Sequence, residues 1–407
     1  MTTEQIQNLK EKQKIFSLGW VINGLAGEDE LSPEQMEPEL TQRIDQKLND
    51  GKVIEFIGGQ WQRVWGPFVY LAPYTKYATN AIYVARKDNQ YVIGIAGTNF
   101  ISFYDWFIED FYVGVRADWA EYAETQPPGD TPPKIAMGTK IGLDNLLRQH
   151  PGTGTTIIDF LTDQLKELGE KVEIVVTGHS LGGTLSPVLA LALYEKKSTW
   201  DPNNRATLKV YPFAGATPGN FYFAEYYRQR LGENTTRVWN SLDIVPHAWS
   251  ATKLSQIAKL YEPHIPSNPL IEKFVNLATL ISAAGFYHHI KWLTPPLQGT
   301  FRPPVQPSET SSMQVELNVQ LSESIKSAVT ATEELSALDD NNGFEQFMAQ
   351  ALEQHMDAYF DLLEFPLEVK VALYLGKKRS LNAIDPEAIE SMRNKLVEYS
   401  TSPDQPE

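Results

Sequence analysis

The chain contains no cysteine in 407 residues. That absence removes disulfide bridges, thiolate catalysis and cysteine-ligated zinc together, so packing alone must hold the fold. No apolar run is long enough to cross a bilayer. Positive charge is also scarce. Against 51 Asp and Glu there are 35 Lys and Arg, and the net charge of −16 argues against nucleic acid and gives no attraction to anionic membrane surfaces. Residues 1–16 lack a basic-then-apolar leader and have the pattern of an amphipathic helix. The expectation is a cytoplasmic protein, with leaderless export still compatible. Neither a phosphate loop nor metal-ligand spacing occurs, so no cofactor and no metal are expected.

The most informative stretch is residues 172–186, VEIVVTGHSLGGTLS. Val172, Ile174, Val175 and Val176 have the pattern of a short buried strand, and Leu185, Val188, Leu189, Ala192 and Leu193 recur at helical spacing. Between them Gly178 and Gly182 flank Ser180, the G-x-S-x-G spacing of a nucleophile elbow. A serine on so sharp a turn has a strained backbone, and its neighbours two residues away crowd adjacent chain unless they lack a Cβ. The hydroxyl then sits beside a helix N-terminus whose free N–H groups can stabilise developing negative charge. Pro187 lies early in that helix, where a local kink is expected.

Around this stretch the pattern alternates. Residues 2–51 have the pattern of helices, with a capping box at Ser32 to Gln35, an apolar stripe of Leu40, Ile44 and Leu48, and Gly51 as the stop. From Val53 short aromatic runs begin, and residues 81–85 and 91–96 form a hairpin around Lys87 to Gln90. Phe100, Phe103, Trp106 and Phe107 follow in a dense cluster, either core or an apolar lid beside the site. Further strands fall at 207–213 and 236–240, with helices at 152–170 and 223–231. Such alternation argues for a largely parallel α/β sheet. Residues 293–342 are proline-rich, then polar and acidic, like an inserted arm. The domain reading is a helical extension over 1–52, a catalytic domain over 53–375 carrying that insertion, and a helical tail over 376–407.

Asp243 closes the last of these strands, two elements after the serine strand, where a triad acid would lie. Seven histidines compete for the base. His179 is inside the elbow and cannot turn back onto Ser180, while His150, His247 and His264 fall in loops or between prolines. His288, His289 and His355 remain, and spacing does not choose among them.

Four motifs in order resemble the class 3, or fungal-type, lipase family of the α/β-hydrolase fold, over roughly residues 60–290 and 344–365. The stretch from Tyr91 to Asp110 resembles a strand ending R-G-T followed by D-W-x-x-D. The elbow resembles G-H-S-L-G-G, Phe213 to Asn220 resembles F-G-x-P-x-x-G-N, and Asp243 to Pro246 resembles D-x-V-P. Departures are Ala96 for the usual arginine, a loose match at 134–138, and a long interval between Asp243 and His355.

The resemblance implies an α/β-hydrolase fold, a mostly parallel central sheet flanked by helices with N- and C-terminal helical additions. It implies Ser180 as nucleophile, Asp243 as acid, and the amides of Thr98 and Leu181 as the oxyanion hole. As base it implies His355, in a His-x-x-x-Tyr stretch with Tyr359; His289 is the alternative. The implied activity is hydrolysis of lipid esters, acylglycerol or phospholipid, through an acyl-enzyme. A small-ester esterase, or a lipid- or partner-binding module with an occluded triad, are the rival readings.

Overall fold

Successive side chains of the central strands enter two different cores, so the sheet is covered on both faces. The computed structural model describes residues 2–25, 31–71, 78–97, 113–167, 169–302 and 341–374. Phe100, Phe103, Trp106 and Phe107, most of the arm expected at 293–342 and the tail expected at 376–407 lie outside these residues. The strands are β1 (Gln62–Leu71), β2 (Ala78–Lys87), β3 (Gln90–Ile95), β4 (Arg116–Asp118), β5 (Lys134–Ala136), β6 (Val172–His179) and β7 (Ala206–Phe213). Five of them form one sheet in the order β1-β2-β3-β6-β7, and β4 pairs with β5.

The first two pairings are antiparallel and the next two parallel, so the sheet is mixed and its parallel half carries the serine strand. The predicted hairpin is present as β2 and β3. On β6, Ile174 and Val176 face one core and Val175 the other; on β3, Tyr91, Ile93 and Ile95 face the first and Val92 the second. Burial on both sides explains why β6 reads as a continuous apolar run.

The strand expected at 236–240 is realised as a broken sixth strand parallel to β7. Thr236 N–H donates to Val210 O and Val238 N–H to Pro212 O, while Ala214 N–H returns to Val238 O. Pro212 has no N–H to continue the ladder, so only isolated bridges at Thr235 and Val238 remain.

The described helices are α1 (Thr3–Trp20), α2 (Pro33–Leu48), α3 (Gly51–Phe56), α4 (Met137–Leu147), α5 (Ile157–Glu167), α6 (Leu181–Glu195), α7 (Lys197–Trp200), α8 (Phe221–Leu231), α9 (Ala251–Ile257), α10 (Pro269–Ser282), α11 (Asn341–His355), α12 (Asp357–Leu362) and α13 (Leu367–Tyr374). Leu143, Leu161, Leu185 and Phe223 bring α4, α5, α6 and α8 onto the first face. Phe16, Leu40, Phe360 and Leu373 bring α1, α2, α12 and α13 onto the second. The N-terminal segment is therefore a structural layer of the sheet.

Two local expectations differ. Gly51 does not end the helical region: Asp50 accepts from the amides of Lys52 and Val53 at 2.9 and 3.2 Å and caps α3, so strand begins only at Gln62. At Pro187, α6 runs on without interruption. Proline cannot donate to Gly183 O, and the Ser186 hydroxyl donates to that carbonyl instead at 3.4 Å.

Candidate active site

Ser180 stands between β6 and α6 with φ 63° and ψ −122°, a conformation sparsely populated by residues with a side chain. Its amide is held by Phe213 O at 3.0 Å. The turn is possible because both flanking glycines lack a side chain: a Cβ on Gly178 would lie 2.5 Å from Gly182 C and 2.6 Å from Ile95 O. A Cβ on Gly182 would run into that same Ile95 carbonyl. Leu181 is the first residue of α6, where backbone N–H groups have no acceptor within the helix.

The end of β3 approaches from the other side. A Cβ at Gly97 would lie 2.9 Å from His179 O and 3.3 Å from Ser180 Cβ. Gly97 N–H donates to Asn23 Oδ1 at 2.8 Å, so a buried asparagine just beyond α1 fixes the chain one residue before Thr98. Thr98 itself lies outside the described residues.

Asp243 is fully buried, and its carboxylate accepts four hydrogen bonds. His355 Nδ1 lies 3.0 Å from Oδ1 and 2.9 Å from Oδ2, the Tyr359 hydroxyl donates to Oδ2 at 2.8 Å, and Val245 N–H donates to Oδ1 at 3.0 Å. Facing a carboxylate, Nδ1 carries the imidazole hydrogen, which leaves the lone pair on Nε2. The Tyr359 oxygen in turn accepts Asn240 N–H at 3.0 Å, and Asn240 Nδ2 donates to Gln354 O and Oε1 at 2.9 and 2.8 Å. Acid, base and tyrosine are thus tied to the broken sixth strand.

His355 ends α11, and Met356, at φ −107° and ψ −81°, separates that helix from α12. Ending the helix leaves a carbonyl with no amide of the next turn to receive. His179 Nε2 donates to His355 O at 2.8 Å, and the two rings are 4.6 Å apart. The residue before the nucleophile therefore holds the main chain of the histidine that faces Asp243. Trp20 and Phe16 of α1 pack edge-on against the His179 ring, with centroids at 5.2 and 6.1 Å. Its place in the sequence shows only that His179 cannot turn back onto Ser180.

His289 is placed elsewhere. Its Nε2 donates to Gly215 O at 2.9 Å, and among the described residues Asp243 is paired with His355 and not with His289. Burial, followed by the nearby Arg237 guanidinium, pushes the His289 pKa well below the usual histidine value. His247, whose Nδ1 donates to Asp243 O at 2.7 Å, is also lowered by burial. Both rings stay neutral in the folded state at a pH where the unfolded chain already binds protons, so stability rises with pH across that window. The contribution is complete above about pH 6.5, the unfolded value, and is lost as pH falls towards the folded values. Lowering pH from about 7.5 to 5 is expected to reduce Tm by a few degrees. His289→Gln should flatten the lower part of a calorimetric Tm profile, and an unchanged slope would count against this origin.

Among the described residues, no group of three or more His, Asp, Glu or Cys is arranged to hold a metal ion. No described helix is long and apolar enough to cross a membrane.

A class 3 lipase family model matches residues 135–253, which include Ser180 and Asp243. A solved structure described as M37 lipase superposes with a TM-score of 0.69 at 27% identity, over 86% of this chain and 92% of that one. Residues 135–253 are thus similar to the class 3 lipase family. The chain's α/β-hydrolase fold is shared with that lipase structure. A lipase of Rhizomucor miehei is 29% identical over 171 residues, 42% of this chain and 41% of the relative. Phospholipase A1-Igamma3 of Arabidopsis thaliana is 39% identical over 83 residues, 20% of this chain and 16% of the relative. The matched stretches span less than half the length of these curated relatives.

Proposed function

We propose that the protein hydrolyses carboxylic esters of lipids through an acyl-enzyme. Ser180 is the nucleophile, His355 the general base and then the general acid, and Asp243 the group that orients the imidazole and stabilises its charged form. The observation that carries this reading is the fully buried His355–Asp243 pair at 2.9 Å, whose histidine is held by His179, the residue before a serine with a positive φ. His355 Nε2 takes the Ser180 proton as Oγ attacks the acyl carbonyl, then returns it to the leaving alcohol; water repeats the sequence to free the acid. The amides of Leu181 and Thr98 are the proposed oxyanion donors. Those donors would stabilise the tetrahedral oxyanion.

Acylglycerols and phospholipids are both candidate substrates, since relatives named lipase and phospholipase A1 each match part of the chain. The cluster of Phe100, Phe103, Trp106 and Phe107 remains a proposed acyl-binding or lid element. Absence of cysteine is compatible with a cytoplasmic location, which fractionation with an antibody would check.

Active-site labelling is the deciding experiment. A fluorophosphonate probe should modify Ser180, identified by peptide mass spectrometry, and the same preparation should release p-nitrophenol from p-nitrophenyl butyrate. Burial of Ser180, only 1% exposed, favours a second reading in which the triad is occluded and the protein binds lipid without turnover. In that case the probe fails to label in buffer and also in monomeric nonionic detergent.

His179 has a positioning role in this scheme. Replacing it by phenylalanine keeps an aromatic ring against Trp20 and Phe16 but removes the donor to His355 O. The expected outcome is a fall in kcat of about 10²-fold, the scale of a small misplacement of a catalytic group, with KM little changed. A substrate series read as separate kcat and KM values checks it; a change confined to Tm would reduce the residue to packing.

A further inference from the structure

The sheet ladder stops just short of the serine. Ala96 N–H still donates to Ala81 O of β2, and the pairing of β3 with β6 ends at Ile95 opposite Gly178. The next amide, that of Gly97, leaves the ladder and donates to the Asn23 side chain at 2.8 Å, across 74 positions of sequence. Gly97 lies against the nucleophile, since a Cβ on it would stand 3.3 Å from Ser180 Cβ. Thr98, next in sequence, carries one of the two proposed oxyanion amides.

Asn23 is itself held from two sides. It is 5% exposed and sits in a 3₁₀ turn, Val21–Leu25, where it departs from helical geometry at φ −75° and ψ 21°. On one side the end of α1 rests on the serine strand: a Cβ on Gly19 would lie 3.2 Å from the Thr177 side chain, and the Tyr83 hydroxyl of β2 donates to Leu18 O at 2.5 Å. On the other side α2 supplies a clamp. Arg43, 4% exposed, donates from Nη1 to Gly24 O at 2.6 Å and from Nε to Glu39 Oε1 at 2.6 Å. The rigid fork of the guanidinium lets one side chain grip its own helix and the neighbouring turn together. The approach is close as well, because a Cβ on Gly24 would stand 3.1 Å from Leu40 Cδ1.

Satisfying one buried amide is reason enough for an acceptor at position 23. Satisfaction alone, however, predicts no coupling between residue 23 and residue 43. A path from α2 to the end of β3 does predict it.

We propose that Asn23 and Arg43 are positioning residues for the hydrolysis proposed above, with α2 setting, through the two of them, where the chain leaves β3 beside Ser180. The N-terminal layer is then a support of the reacting groups as well as a cover for the sheet. This rests on the acyl-enzyme reading, and both residues lie outside the stretch 135–253 matched by the family model.

The test is kinetic, on p-nitrophenyl butyrate, with enzyme concentration set by fluorophosphonate titration. Asn23→Leu is expected to lower kcat about 10²-fold with KM little changed, the scale of a small misplacement. A trifluoromethyl ketone inhibitor isolates the cause. Ser180 Oγ adds to its carbonyl carbon, the π pair moves to the oxygen and the hydroxyl proton goes to His355 Nε2, so the adduct carries the oxyanion. Its Ki should rise by the factor that kcat falls, and Asn23→Asp, which keeps an acceptor oxygen, should stay close to the parent in both. Arg43→Met should lower kcat about tenfold alone and less than about twofold in the Asn23→Leu background, because residues on one path do not add. Additive losses would overturn the proposal, as would a constant Ki beside a falling kcat, or a parental kcat in Asn23→Leu. Where Asn23→Leu does not fold, Asn23→Ser takes its place with the same expectations, its side chain being too short to reach Gly97. A parent that neither labels nor turns over defeats the acyl-enzyme reading and this inference together; an active parent indifferent to residue 23 defeats this inference alone.

Discussion

Ser180→Ala is expected to lower kcat on p-nitrophenyl butyrate by roughly 10⁴-fold or more while leaving Tm within about a degree. The size follows from how triads act: removing the nucleophile disables base and acid with it, and only binding and oxyanion donors remain. Stability should hold because the turn does not depend on the hydroxyl. Ser180 N–H to Phe213 O and Thr184 N–H to Ser180 O, each 3.0 Å, are main-chain bonds that alanine retains, and the strain of φ 63° is common to both residues. Single-turnover kinetics with intact-mass detection of the acyl-enzyme give the cleanest reading. Retention of more than a tenth of the activity would remove Ser180 from the chemistry.

Asp243→Asn should cost nearly as much in rate and something in stability. The amide is the same shape, yet it has one oxygen where the carboxylate offers two. Around it stand three groups that need acceptors: His355 Nδ1–H, the Tyr359 hydroxyl and Val245 N–H. If the new NH₂ faces His355, the imidazole must shift its hydrogen to Nε2 and accept at Nδ1, so the lone pair proposed to take the Ser180 proton is gone. A wrong tautomer of this kind is associated with a loss of about 10⁴-fold in kcat. If instead the amide oxygen faces His355, a donor is set against Tyr359, and an unsatisfied buried polar group costs about 1–3 kcal/mol. Nitrogen-15 chemical shifts of His355 distinguish the two. Full activity in Asp243→Asn would show that another group orients the base.

Local pattern made part of this site readable. The elbow motif spans five residues, and the predicted need for glycine at 178 and 182 corresponds to the approach of the two glycines to each other and, from the neighbouring strand, of the Ile95 carbonyl. Asp243 was accessible because a strand end is a local event. The base was not, since its choice depends on where α11 stops and on which imidazole reaches Asp243 through space. His289 has a plausible neighbourhood in sequence, but its Nε2 is committed to Gly215 O. Two supports gave no signal at all: Asn23 on Gly97 and His179 on His355 O join residues 74 and 176 positions apart. Conversely, the strand at 236–240 was visible from its composition, and its fragmentation comes from a proline on the neighbouring strand.

The order in which the pieces are synthesised has its own consequence. On the proposed roles, a ribosome completes the serine, its supporting glycines and the acid well before it adds the histidine at 355 and the tyrosine at 359, both of which satisfy that acid. At ordinary elongation rates the delay between the acid and the histidine is on the order of ten seconds. During that interval the nascent polypeptide holds an alcohol with nothing to deprotonate it. The proposed hydrolysis would therefore be silent on the ribosome, and a product truncated before the last helices would be harmless to any ester around it.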